Sequence, residues 1–412
     1  MKKRFGRRSF IEKLSKTSIL TGLMASPAAA MANRMADANT EGKNVADDHT
    51  FLTLPYLQNH SDSSMTIMWL TNKESYSWVE FGEEDQLGNK ADAVTDGLTN
   101  ANNTVHRIKL EGLKPGTTYR YKVCSREINE FKPYKLVFGN TIETEVFSFK
   151  TPDPAAKEIS WLVLNDIHDR PASIPHLLKY KGDKAYDFVF LNGDMFDYQT
   201  DQQQMIDHLL QPCATHFATG IPYLYTRGNH ETRGKFARQH ANYFDCPGGQ
   251  YYFSFTQGPV HFVVLDTGED KPDNDPAYSG LVSFDKYREE QARWLEQEIT
   301  TKAFKNAPFR VVMMHIPVFY SGDWHGTMHC RQLFNPLFNK GKIDLFIAGH
   351  THKYGTYEAN NETHHYPIVI GGGPLEGKRT LIKVNANQKL LSLEMVKDDG
   401  SLVGNLQIKS KR

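Results

Sequence analysis

The sequence is short of cysteine, with four in 412 residues. That excludes a scaffold built from disulfides, and no spaced Cys cluster of a structural zinc site is present. It also lacks net charge, since 48 Lys and Arg are matched by 48 Asp and Glu. A general nucleic-acid binder usually carries a basic surplus, so that class is disfavoured. No internal repeat or low-complexity tract is visible. Beyond the N-terminal segment, no apolar run approaches the ~20 residues that a membrane helix needs. Apolar residues make up 39% and aromatic residues 12%, enough for a buried core and too much for long disorder. The length exceeds one ordinary core and predicts two or three domains. The one unusual surplus is histidine, with 17 residues.

The zero net charge averages unequal parts. Residues 1–32 hold Lys2, Lys3, Arg4, Arg7, Arg8, Lys13 and Lys16 against the single acid Glu12. A basic start, a weakly apolar stretch to Met24 and the small residues Pro27-Ala28-Ala29-Ala30 describe an export signal. Arg7-Arg8-Ser9-Phe10 resembles a twin-arginine signal. No Cys follows the apolar stretch, which disfavours a bacterial lipid anchor. The expectation is an acidic chain that is exported, periplasmic or extracellular, with no membrane attachment once the signal is removed. Residues 33–49 are polar and small and read as a linker.

Residues 50–151 have an all-β texture. Short alternating runs such as Met65-Thr66-Ile67-Met68-Trp69-Leu70 and Tyr119-Arg120-Tyr121-Lys122-Val123 are separated by turn residues. About 100 residues with strands at that spacing predict a β-sandwich. Leu113-Lys114-Pro115-Gly116, leading into a strand opened by Tyr119, resembles the corresponding turn of a fibronectin type III module. This part holds no cluster of acids with histidines, so it is expected to be structural, or a docking surface for a protein or glycan.

Thr151-Pro152-Asp153-Pro154 marks a boundary. Residues 157–385 alternate buried strands with amphipathic segments and predict an α/β domain, completed by C-terminal strands in 386–412. Strands are expected at 159–165, 187–192, 223–227, 261–266, 310–315, 344–348 and 366–371. Helices are expected at 173–181, 202–218 and 284–304. Fourteen of the histidines fall in this second part. Five of its apolar strands release Asp, Asn or His at their C-terminal ends. The five segments are Asp166-Ile167-His168, Gly193-Asp194-Met195-Phe196-Asp197, Gly228-Asn229-His230-Glu231, His315 and Gly349-His350-Thr351-His352. In an open α/β sheet that edge is where ligands bind. Carboxylate, imidazole and amide oxygen suit borderline divalent metals, and the number of ligands is enough for two ions. Each segment alone is a common turn; all five in order are a strong signal.

That ordered set resembles the calcineurin-like metallophosphoesterases, and with the preceding sandwich it resembles the purple acid phosphatases. The resemblance implies a metallophosphoesterase αββα sandwich and carries roles onto matching residues. Asp166, His168 and His352 would bind the first metal. Asp194 would bridge both, and Asn229, His315 and His350 would complete the second. His230 would face the substrate and protonate the leaving oxygen, and Glu231 would orient His230 or a ligand. Purple acid phosphatases place a Tyr three residues after the bridging Asp, where this chain has Asp197. The resemblance therefore implies two divalent ions (Mn, Zn or Fe) and no ferric tyrosinate. The reaction implied is attack on phosphorus by a hydroxide formed from a water whose pKa the ions would lower to near neutral. The substrate would be a small phosphate ester, a monoester by analogy. A phosphodiesterase acting on nucleotides or lipid headgroups, and a non-catalytic binding protein using the sandwich, are the alternatives. His325 is a further catalytic candidate, expected to reach the substrate phosphate. Arg233, His329, His364 and His365 are weaker pocket candidates, and Tyr320 and Trp324 are candidate walls for a leaving group.

Overall fold

The computed structural model describes residues 48–83 and 86–412. The signal expected at 1–32, and nearly all of the linker expected at 33–49, lie outside the described residues. His49, at the end of that linker, is buried in the β domain, with its Nδ1 3.2 Å from the Asn140 carbonyl.

The β domain is organised by one long strand, Ser64–Glu83. Its first half pairs with Tyr56–Gln58 and Asn103–Glu111, and its second half with Asn89–Ala91 and Thr118–Lys132. The register shifts between Leu70 and Ser75, so one strand serves two layers. Met65, Ile67, Trp69, Ile108, Tyr121 and Phe149 fill the space between them. The Pro115-Gly116 turn is pinned as that sequence type requires, because the Tyr119 hydroxyl accepts the Lys114 N–H at 2.9 Å.

The second part contains two six-stranded mixed sheets. In the first, the parallel strands Tyr223–Thr226, Phe188–Asn192 and Glu158–Leu164 continue into Thr380–Asn387, Leu390–Lys397 and Leu402–Lys409. The strand Thr380–Asn387 is antiparallel to Glu158–Leu164, so it runs across the boundary expected at 385. In the second sheet Val260–Leu265, Phe309–Met314, Leu345–Ala348 and Ile368–Ile370 are parallel. The short Phe253–Gln257 and Gly355–Tyr357 flank them antiparallel. The sheets face each other through aromatic contacts. Trp161 stacks on Phe188 at 6.1 Å, and Phe262 meets Trp161 edge-on at 4.9 Å. Helices Phe284–Glu298 and His325–Gly341 cover the outer face of the second sheet through Leu295, Cys330, Phe334 and Phe338. Helix Ser173–Leu178 and the helical stretch 202–218 belong to the first sheet's side, where 202–218 passes through π turns around Pro212. The αββα sandwich with a β domain before it is therefore the observed architecture.

Two helix expectations are corrected. The helix expected to run to 304 stops at Glu298 and restarts as Lys302–Asn306, because Thr301 caps the new turn by accepting the Phe304 N–H at 3.2 Å. The segment after Tyr320, read as loop, becomes the 17-residue helix His325–Gly341 with Pro336 inside it.

The two domains are joined by hydrogen bonds as well as packing. Asp245 accepts from Thr66 Oγ1 at 2.6 Å and Asn59 Nδ2 at 2.9 Å, and Arg107 donates to the Phe244 carbonyl at 2.7 Å. The four cysteines are buried and unbonded to one another. Among the described residues no helix is long and apolar enough to cross a membrane.

Candidate metal centre

The strand ends place the predicted residues together because both sheets point the C-terminal ends of their parallel strands at one edge. The chain must then turn sharply, and the turning residues are the polar ones. Asp166, His168, Asp194, His350 and His352 all have φ between 49 and 72°, a left-handed backbone that is costly for residues with side chains and recurs at functional sites. Backbone bonds hold the turns against each other. The Asp166 N–H donates to the Gly193 carbonyl and the His168 N–H to the Asp194 carbonyl, both at 3.0 Å. A Cβ on Gly193 would lie 2.5 Å from the Gly228 nitrogen, so only glycine lets the second and third segments approach.

Two groups of side chains result, sharing Asp194: Asp166, His168, Asp194 and His352, and Asp194, His315 and His350. In the first, His168 Nε2 lies 3.0 Å from His352 Nε2, and Asp166 Oδ1 is 3.2 Å from His352 Nε2. Asp194 Oδ2 reaches both groups, 3.5 Å from His168 Nε2 and 3.0 Å from His315 Nε2. Asn229 Oδ1 joins the second group, 3.0 Å from His350 Nδ1.

Ring orientation is fixed from outside. His315 Nδ1 lies 2.8 Å from the Asn192 carbonyl, which can only accept, so the proton sits on Nδ1 and the Nε2 lone pair faces Asp194. His168 Nδ1 is held in the same way by the Asp197 carboxylate at 2.8 Å. Lone pairs and carboxylate oxygens therefore converge, and the buried Asp166 Oδ1 and His315 Nε2 have no hydrogen-bond partner. Such an array repels itself unless positive charge fills it. The titration of the site expresses the same demand, since without a cation the His315 and His168 rings take up a second proton on Nε2 instead. Burial works to lower the His315 and His168 pKa values, but the Asp194 and Asp166 carboxylates override it and raise them to about 10 and about 9. Burial works to raise the Asp194 pKa, and His315 outweighs it, leaving about 2. The residues present fit divalent cations bound by imidazole, carboxylate and amide oxygen.

His230 belongs to neither of the two groups that share Asp194, and stands instead within reach of His168 and Asp197. Its Nδ1 lies 2.6 Å from the Asp197 carbonyl, and its Nε2 lies 4.0 Å from Asp194 Oδ2. Burial, followed by Arg233 and His168 among the opposing charges, lowers its pKa. Glu231 orients backbone rather than an imidazole. Fully buried, it accepts the N–H groups of Asp194 at 2.9 Å, Met195 at 2.6 Å and Gly228 at 2.7 Å.

The structure pairs His325, expected to reach the substrate phosphate, with Asp285. Its Nε2 lies 2.8 and 2.9 Å from the two carboxylate oxygens of Asp285. His329 also faces Asp285. His364 is buried between the Tyr320 hydroxyl and the Tyr366 carbonyl, while His365 is exposed. Tyr320 stacks on Tyr357 at 3.8 Å, and Trp324 is exposed. Arg233 is clamped by Glu269 at 2.8 and 2.9 Å and donates to His230 Nε2 at 3.0 Å.

Three contributors were not read from the sequence. Glu269 holds Arg233, and Asn165 Nδ2 donates to Asp166 Oδ2 at 2.5 Å. The Gly371-Gly372-Gly373 run lets the chain pass close to the site, since a Cβ on Gly373 would lie 2.5 Å from the His352 Cβ. The triple glycine was the available signal. Beside His352 opens a cavity of about 340 Å³ lined by Lys353, Tyr354, Pro374, Leu375 and Lys378.

Fold and site together define a metallophosphoesterase architecture, and comparison with known proteins agrees: residues 159–354 match the Calcineurin-like phosphoesterase family. Residues 53–151, the segment read as fibronectin-like, match the Purple acid Phosphatase, N-terminal domain family. Probable purple acid phosphatase 20 of Arabidopsis thaliana is 25% identical over 372 residues, 81% of this chain and 77% of its own. Human acid phosphatase type 7 is 26% identical, covering 76% and 73%. The fold is shared with the purple acid phosphatase PPD1 of yellow lupin seeds, with TM-score 0.66, 18% identity, and 86% of this chain and 74% of that chain covered. PhoD also shares it, with TM-score 0.61, 12% identity, and coverage of 88% and 92%. The chain thus combines a calcineurin-like phosphoesterase domain with a purple acid phosphatase N-terminal domain, and its relatives are purple acid phosphatases, which supports a hydrolase of phosphoric esters.

Proposed function

We propose that this chain is an exported phosphatase that hydrolyses phosphate monoesters, using two divalent cations and His230 as general acid. Asp166, His168 and His352 would hold one cation; Asn229, His315 and His350 would hold the other; Asp194 would bridge them. What carries the reading is the convergence of inward lone pairs on Asp194, with His230 beside the two groups that share Asp194 and in neither of them. When bound, such a pair of cations supplies Lewis-acid polarisation of the phosphoryl oxygens and acidification of the attacking water.

The chain's own residues do the rest. Asp197 and Asn192 fix the His168 and His315 rings, and Glu231 fixes the backbone that carries Asp194 and Gly228. The Asp197 carbonyl turns His230 so that Nε2 faces the centre. Protonation of Nε2 displaces the Arg233 hydrogen bond, and in that imidazolium form the nitrogen donates a proton to the departing alkoxide, a contribution of ~10²–10⁴-fold in rate. Arg233 lowers the proton affinity of the same ring, which makes it a better donor. The leaving group takes the cavity beside His352. Export follows from the basic, twin-arginine-like start of the sequence.

The test is phosphate release from a chromogenic aryl monoester and its bis-aryl diester, on protein of measured metal content. The monoester should turn over faster, and Asp194→Asn should abolish turnover with an unchanged circular dichroism spectrum. Preference for the diester would replace the monoester reading, and undiminished turnover in Asp194→Asn would remove the site assignment.

A further inference from the structure

We propose that Asp285, His325 and His329 form an additional binding site for a divalent transition-metal ion such as zinc, separate from the strand-end cluster. Asp285 comes from the first turn of helix Phe284–Glu298. The two histidines lie four residues apart at the start of helix His325–Gly341, and that spacing puts them on one face.

The donor atoms are already gathered. His325 Nε2 is 2.8 and 2.9 Å from the Asp285 oxygens, and His329 Nδ1 is 3.1 Å from Oδ1. All three donor atoms fit within 4.8 Å of one another. The His329 nitrogen is buried and makes no hydrogen bond, so its pairing capacity is unspent. These separations resemble those of the strand-end cluster, 3.0 Å between His168 and His352 and 3.2 Å between His352 and Asp166. Two imidazoles and one carboxylate are a zinc donor set. A small cavity of about 280 Å³ opens beside both histidines and gives an ion entry and room for water.

The surroundings hold the carboxylate in place. Arg288 Nη1 donates to Asp285 Oδ1 at 2.8 Å, and its Nε is anchored on the Thr267 carbonyl at 2.8 Å. A hydrogen-bonded carboxylate ligand is kept oriented in this way, while the guanidinium charge makes the site weaker than one without it. An ion here would tie the N-terminal ends of two helices that pack on each other, so occupancy would stabilise the fold.

The experiment measures zinc bound per chain after equilibrium dialysis of the full-length protein against excess zinc. Wild type is compared with His325→Ala and His329→Gln, whose folding is checked by circular dichroism. The same pair of substitutions is made in an Asp194→Asn, His352→Ala background. In each background both variants should bind one zinc fewer than their parent, and the zinc-induced rise in melting temperature should shrink. Equal zinc content in either variant and its parent would overturn the site. Because the readout is a difference at fixed strand-end composition, it is independent of whether that cluster hydrolyses esters.

Discussion

The carboxylate of Asp197 lies 2.8 Å from Nδ1 of His168, while the carbonyl of the same residue lies 2.6 Å from Nδ1 of His230. One residue therefore orients both a predicted metal ligand and the predicted proton donor. Its side chain serves the His168 imidazole.

Asp197→Ala should leave His230 in place, because the backbone carbonyl remains, and should release the His168 ring. Loss of such an outer partner typically costs 10–100-fold in metal affinity or activity. Metal competition titration checks this, with His230→Ala as the contrast: it should lower turnover and spare metal affinity. The loaded wild-type protein should show no visible tyrosinate charge-transfer band with any metal.

Glu231→Gln tests the backbone clamp. The carboxylate accepts four buried N–H groups from the second and third strand-end segments. An amide places an N–H donor where only acceptors fit, and an unsatisfied buried group costs about 1–3 kcal/mol. Urea denaturation should report a loss of that order, and turnover should fall because Asp194 and Gly228 are no longer held together. Unchanged stability would show that the clamp is dispensable.

The cavity beside His352 predicts leaving-group selectivity. Leu375 is largely exposed at its wall and Lys378 lines it. Leu375→Trp should narrow it and lower kcat/KM for esters of bulky alcohols more than for those of small ones. Lys378→Ala should raise KM for leaving groups that carry a second anionic group. A panel of monoesters measured on the two variants separates these effects. Equal changes across the panel would place the leaving group elsewhere.

The ligands were legible because each follows a strand whose apolar run is visible locally, and the sheet rule sends those ends to one edge. Residues whose roles depend on distant partners were not. Asp285 lies 40 residues from His325, and nothing near His325 signals that it is claimed. Pro336 disguises the helix His325–Gly341, since proline inside a helix removes a hydrogen bond and argues against the assignment. The glycines at 371–373 read as loop until the close approach of His352 and Asn165 gives them a reason. Thr380–Asn387 is divided by a boundary at 385 because an antiparallel extension of a parallel sheet leaves no break in the sequence.

Two histidines outside the site predict how stability depends on pH. His60 lies against Phe188 and Phe255, and burial lowers its pKa to about 4. His106 lies against Trp69, and burial lowers its pKa to about 3. Both folded values lie below the unfolded value of about 6.5. Above that value neither state binds the proton and the full stability is present. As the pH falls towards about 4, the unfolded chain takes up protons that the folded chain refuses, and stability drops. The slope is about 1.4 kcal/mol per pH unit for each group. Urea denaturation between pH 7 and pH 5 should therefore show a steeper loss for wild type than for the His60→Gln, His106→Gln double variant. Parallel slopes would mean that these two imidazoles accept protons in the fold, against the burial that surrounds them.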